Sequence, residues 1–256
     1  IGLVQLNTDG SPVLVGGQPV PTYSQATVTG FAAVFTGWNW NNTGCGPTTY
    51  VCCDENNYSN CGRYDHNIPS WKLPMQPVEA FHDSTSNKQL LDYPGVALPG
   101  GVLAAGGDAT AELNAALDNI FEHPNVGPFI ARRLIQRLVT SNPSAAYIQR
   151  VASAFNNNGS GVRGDLKAVL RAILLDSEAR YGPWQYPSIF GKLREPLLKN
   201  TQLWRAMEAR TETGRVETLS PYPGIEDWYG QGPLRSPSVF NFFQPDYRQS
   251  GEISSL

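Results

Sequence analysis

The sequence predicts a mainly α-helical domain with long, ordered loops rich in proline, glycine and aromatic residues. Three observations carry that expectation. Apolar residues recur at spacings of three and four in several windows, and no paired alternating pattern of the kind that marks strands stands out. Ser, Asp or Pro opens those windows, where each suits a helix start. Between them lie many of the chain's 25 glycines and 20 prolines, which implies frequent turns.

Taken in order, Ser24 caps a short helix reaching Phe35, with Val28, Phe31, Val34 and Phe35 on one face. Between Thr36 and Pro99 no long periodic segment occurs, so this stretch needs something other than regular structure to hold it. Asp108 or Thr110 starts a helix carrying Leu113, Leu117 and Phe121, and Pro124 stops it. Pro128 sits in the first turn of the next helix, whose apolar face reads Phe129, Ile130, Leu134, Leu138 and Val139. Ser144 to Phe155 forms another, closed by Asn156-Asn157-Asn158-Gly159. Asp165 opens a helix with Leu166, Val169, Leu170, Ile173 and Leu174, and a last one runs from Pro196 to Ala209. The aromatic, Pro-rich tail from Leu219 to Tyr247 is expected to wrap the helices as an ordered coil.

Composition narrows the class. With 41% hydrophobic and 11% aromatic residues among 256, the chain can bury a sizeable core. Only 16% of residues are charged, against roughly 25% in ordinary soluble domains, and the aromatics argue against disorder. No apolar run approaches the ~20 residues that cross a bilayer. A net charge of −3 argues against general nucleic-acid binding.

The halves differ in texture. Residues 1–107 form a loop-rich, Cys-containing part with three basic residues, Arg63, Lys72 and Lys88, and seven acids. Residues 108–256 form the helical part. The change near Gly106-Gly107 spans only a few residues, so one continuous domain is expected rather than two joined by a linker. Ile1 to Leu6 reads as mid-domain sequence, which marks the chain as a piece of a longer precursor.

Cys45, Cys52, Cys53 and Cys61 cluster in the loop-rich part. Their even number points to two disulfides that pin the loop in an oxidising compartment, with the strained Cys52–Cys53 pairing the least favoured. The rival is a zinc site, for which the paired C-x2-C spacing is lacking. Asp54, Asn56 and Asp65 beside the cluster are weak calcium candidates, without the glycine and bidentate glutamate of a helix–loop–helix site. No other metal and no cofactor is expected.

Two groups of residues could carry function. His82, Asp83 and Lys88 lie in an irregular segment and are candidate catalytic residues, the histidine as general base. The blander reading gives His82 a structural hydrogen bond. Arg132, Arg133 and Arg137 stack beside an apolar stripe and, with Arg235, could bind an anion or a partner. Alternatively they pair with Glu112, Asp118, Asp165 or Glu195. His123, before Pro124, reads as a helix C-terminal cap. Nucleophile-elbow, Walker, dinucleotide and zincin motifs are absent.

Several stretches carry a resemblance. They are His123-Pro124-Asn125-Val126-Gly127-Pro128-Phe129-Ile130 continuing into Arg132 to Val139, then Arg163-Gly164-Asp165 through Leu174. Lys192-Leu193-Arg194-Glu195-Pro196 and Pro233 through Phe243 follow, together with Thr36-Gly37-Trp38 and His82-Asp83. In this order they resemble the bacterial family called domain of unknown function eighteen hundred (DUF 1800), over nearly the whole chain. The resemblance implies the C-terminal part of a longer, exported protein and a partnership with a sulfatase-like family. It brings no activity or catalytic residue with it, and the cysteine-rich insertion after Trp40 departs from the simpler family pattern.

The expectation for function is therefore an extracytoplasmic, non-catalytic subunit or scaffold of a periplasmic or cell-surface assembly, with other exported proteins as partners. The alternatives are an extracytoplasmic hydrolytic or redox enzyme using the His82–Asp83 segment and an arginine patch, and a calcium- or glycan-binding module.

Overall fold

The computed structural model describes residues 1–39, 74–192, 194–210, 212, 214, 230–232, 235, 236, 243 and 247. The fold is mainly helical, as the periodicity implies, with three short two-stranded ribbons that it does not reveal. The first ribbon pairs β1 (Leu14–Val15) with β2 (Gln18–Pro19) across Gly16-Gly17. Helix α1 (Gln25–Val34) follows, capped by Ser24, whose hydroxyl accepts from the Thr27 amide. Next come β3 (Trp38–Asn39), paired with β4 (Gln76–Pro77), and β5 (Lys88–Gln89), paired with β6 (Val102–Leu103). At two residues each, these strands are too short for a period of two to register.

The helices then run α2 (Ala109–Phe121), α3 (Val126–Leu138), α4 (Ala145–Asn156), α5 (Leu166–Leu175), α6 (Ser177–Gln185) and α7 (Pro196–Ala206). Asp108, Ser144 and Asp165 each accept a backbone amide at the first turn, and Pro196 opens α7, as their sequence positions require. Helix α6 is not legible as a helix, because Gly182-Pro183 interrupts its pattern.

Helices α3, α4 and α5 pack into the larger core, built on Ala131, Ile135, Ile148, Val151, Phe155, Val169 and Ile173. Tyr147 is fully buried there, and its hydroxyl donates to the Ile173 carbonyl, tying α4 to α5. At the α5–α6 corner Arg150 clasps Asp176 in a bidentate pair, at 2.6 and 2.8 Å. A smaller cluster of Val34, Leu90 and Ala116 joins α1, β5 and α2. There α1 runs so close to β5 that a Cβ on Gly30 would lie 2.0 Å from the Gln89 carbonyl oxygen.

Two expected helix faces are turned by about one residue. On α2 the buried positions are Ala109, Glu112, Ala116 and Asn119, while Leu117 and Phe121 are exposed. On α3 they are Val126, Gly127, Pro128, Ala131 and Ile135, and Leu138 is exposed. On α2 the inward polar residues meet partners from the preceding chain: Glu112 the Lys88 and His82 side chains, and Asn119 the backbone of Leu91. Among the described residues, no helix is long and apolar enough to cross a membrane. The four cysteines, the calcium candidates Asp54, Asn56 and Asp65, and most of the aromatic tail lie outside the described residues.

Candidate functional site

Among the described residues, the largest concentration of buried charge centres on Glu112, in the first turn of α2 and 1% exposed. Lys88 on β5 places its ammonium 2.8 Å from Glu112 Oε2 and 3.0 Å from Oε1. His82, in the loop after β4, brings Nε2 to 3.0 Å from the same Oε2. The imidazole's other nitrogen, Nδ1, lies 3.0 Å from the Thr36 carbonyl oxygen. The Thr36 hydroxyl donates to Ala33 at 2.6 Å, so Nδ1 is the donor to that carbonyl. The contact between Nε2 and the carboxylate then carries a proton between imidazole and carboxylate. Gly37 permits this approach: its φ is 76°, and a Cβ there would stand 2.8 Å from the His82 amide nitrogen.

The structure thus joins His82 to Lys88 through Glu112, which the sequence marked only as a potential arginine partner. Both side chains are fully closed to solvent. A general base must reach the proton it removes, and here every polar atom faces another part of the chain. Asp83 takes no part. It turns outward and accepts from Thr85 and Ser86, and the Ser86 hydroxyl, followed by the Thr85 amide, draws its carboxyl down to about 2.

A second buried polar group secures the chain around α2 and α3. The Asn119 amide side chain bonds both backbone groups of Leu91, at 3.0 and 2.9 Å. Asn125 donates to the carbonyls of Ile1 and Val4 and accepts from the Leu6 amide. His123 is 2% exposed; its Nδ1 accepts from the Asn125 amide, and its ring meets Tyr93 edge-on at 4.8 Å. Burial, followed by the charges of the Ile1 amino group and the Arg163 guanidinium, pushes this histidine down to about 4. It is a neutral acceptor rather than the expected charged cap.

The arginines of α3 diverge. Arg132 is exposed and donates to the Gly10 carbonyl at 2.9 Å. Arg133 lies over the Phe129 ring at 5.4 Å, and burial followed by its charged neighbours Arg132 and Arg137 lowers its pKa. Arg137 pairs with Glu195 at 3.1 Å and donates to the Phe243 carbonyl at 2.6 Å. Of the four acids weighed as partners, Glu195 is the one that takes an arginine of this row. Arg235 is exposed, its amide bonded to the Gly232 carbonyl.

Arg137 also lines a cleft of about 600 Å³ between the end of α3 and the start of α7, together with Lys192, Arg194 and Lys199. The last three are functional candidates that residue-by-residue reading passes over, although the Lys192 to Pro196 segment is prominent in the sequence. Among the described residues, no three His, Cys, Asp or Glu side chains gather as a metal site would require.

The family described as protein of unknown function (DUF1800) matches residues 3–255. The chain belongs to the DUF1800 family. The match takes in β1 through α7, so the buried Glu112 centre, the Asn125 anchor and the cleft all lie within the DUF1800 region. Neither a curated protein nor a solved structure matches this DUF1800 member.

Proposed function

We propose that this chain is an exported, non-catalytic subunit or scaffold that binds another exported protein through the outer face of α5. The observation that carries the reading is a ladder of leucines. Leu166, Leu170 and Leu174, one turn apart, are 57%, 41% and 55% exposed, while Val169 and Ile173, on the adjoining side of the same apolar stripe, fill the core. Single exposed leucines are ordinary, whereas a contiguous stripe is characteristic of a contact surface. Lys167 and Arg171 flank the ladder and form no ion pair among the described residues. The partner that fits is therefore an apolar segment edged with acidic residues.

Two further features support a binding role. His82 and Lys88 both contact the buried Glu112, an arrangement that suits a structural role. The clustered cysteines support export, where disulfides persist. A sulfatase-like protein, implied by the family resemblance, is a candidate partner.

Native mass spectrometry of the protein purified from its source without reductant tests the reading. A defined assembly with other chains is the expected result. A monomer carrying a stoichiometric metal or small molecule, with turnover, would overturn it and name the cofactor.

A further inference from the structure

We propose that the cleft between α3 and α7 is a binding site for a small organic oxyanion, a phosphate, sulfate or carboxylate on an apolar body. Among the described residues, Arg137, Lys192, Arg194 and Lys199 line it, against one lining carboxylate, Glu195. The arrangement is built rather than accidental. Thr140 and Gly191 exchange two hydrogen bonds of 3.1 Å, holding the segment before α7 against the end of α3. Lys192 donates to the Arg137 carbonyl, so the two cations are fixed relative to each other. Glu195 engages one nitrogen of Arg137, at 3.1 Å. The first turn of α7 has no side-chain cap, and Pro196, Leu198 and Lys199 from that turn line the cleft. The positive end of the α7 dipole adds to the potential there.

Crowding of like charge shows in Lys192, whose pKa is lowered by burial and then by Arg194 and Arg137. A bound anion would relieve that repulsion. The body of the ligand is read from the remaining lining. Leu198 and the Phe243–Tyr247 pair, edge to face at 4.7 Å, offer apolar contact. Gln231 Oε1 is buried there with no hydrogen-bond partner among the described residues, so a ligand hydroxyl or N–H would find an acceptor. A volume of about 600 Å³ suits a small molecule.

Isothermal titration of the intact protein with inorganic phosphate, phenyl phosphate and phenol tests the site. Phenyl phosphate should bind saturably and more tightly than inorganic phosphate, and phenol should not bind. Arg194 and Lys199 are exposed, so the pair Arg194→Glu and Lys199→Glu should fold normally by circular dichroism and bind phenyl phosphate at least about tenfold more weakly. No saturable heat with phenyl phosphate would overturn the proposal. So would unchanged affinity in the double variant, or inorganic phosphate binding as well as phenyl phosphate. None of these outcomes bears on the leucine ladder of α5, so the two proposals fail independently.

Discussion

Lys88 Nζ lies 2.8 Å from Glu112 Oε2, with both side chains closed to water. Isolated charges are costly at such depth, and a buried pair is retained only when its partners stay in place. Lys88→Met leaves Glu112 with His82 alone and should destabilise the protein by about 3–5 kcal/mol. Adding Glu112→Gln to Lys88→Met removes the orphaned charge and should recover part of that loss. Urea denaturation of the single and double variants measures both. A single variant within about 0.5 kcal/mol of wild type would show that the pair contributes no structural lock.

The pH dependence follows from His123. Its folded-state pKa, about 4, lies below the ordinary histidine value of 6.5. Between those values the unfolded chain binds a proton that the folded chain refuses. Stability should therefore hold at neutral pH and fall as pH drops from 6.5 toward 4, by at most about 3 kcal/mol. His123→Gln should flatten that limb in denaturation curves taken from pH 7.5 to 4.5. Asp83 acts in a separate window: its carboxyl, near 2, contributes stability that is lost only as pH falls below about 3.8.

These buried groups show where sequence reading reached and where it stopped. Caps were legible, because Ser24, Asp108, Ser144 and Asp165 satisfy amides within three residues of themselves. The resemblance was legible from the order of its motifs. Glu112 as a centre was not. Its partners stand 24 and 30 residues earlier, one on a two-residue strand and one in a loop, and a glutamate on an amphipathic helix reads as a solvent-facing residue. For the same reason Leu117 and Phe121 passed for the inner face of α2, where Glu112 and Asn119 bond to neighbouring chain instead. On α5 every apolar position looked equivalent, and only packing separates Val169 and Ile173 from the ladder.

Gly30 tests how tightly α1 and β5 are joined. A Cβ there would meet the backbone of Gln89, with the carbonyl oxygen at 2.0 Å, and backbone cannot rotate aside as a side chain can. Gly30→Ala should cost more than the usual overpacking range of about 1–3 kcal/mol, despite alanine's better helix propensity. Thermal unfolding measures it. A variant as stable as wild type would mean that α1 slides freely over β5.

Asn125 makes a more local prediction. Its side chain serves the carbonyls of Ile1 and Val4 and the amide of Leu6, more than a hundred residues away in sequence. Asn125→Leu keeps the branching of the side chain but leaves those backbone groups without their partner, at a cost of about 1–3 kcal/mol for each one that water does not reach. The Leu6 amide should lose hydrogen-exchange protection well before the α4 amides do. Loss of protection across both regions together would instead mean that Asn125 supports the whole fold.

The leucine ladder of α5 supplies the prediction that bears most directly on function. Leu166 and Leu170 are exposed beside the buried Val169 and Ile173 and are not part of the core cluster, so changing both to glutamine removes little buried apolar area. Stability of the isolated chain should stay within about 0.5 kcal/mol of wild type for each substitution. If α5 docks a partner, however, each glutamine puts a polar amide into an apolar contact, where burial without a hydrogen bond is costly. The double variant should then be missing from the assembly expected in native mass spectrometry. Reversing the flanking charges, Lys167→Glu with Arg171→Glu, should slow association and reduce its salt dependence, because rim charges act mainly on the encounter. An assembly that survives both changes would place the interface elsewhere on the molecule.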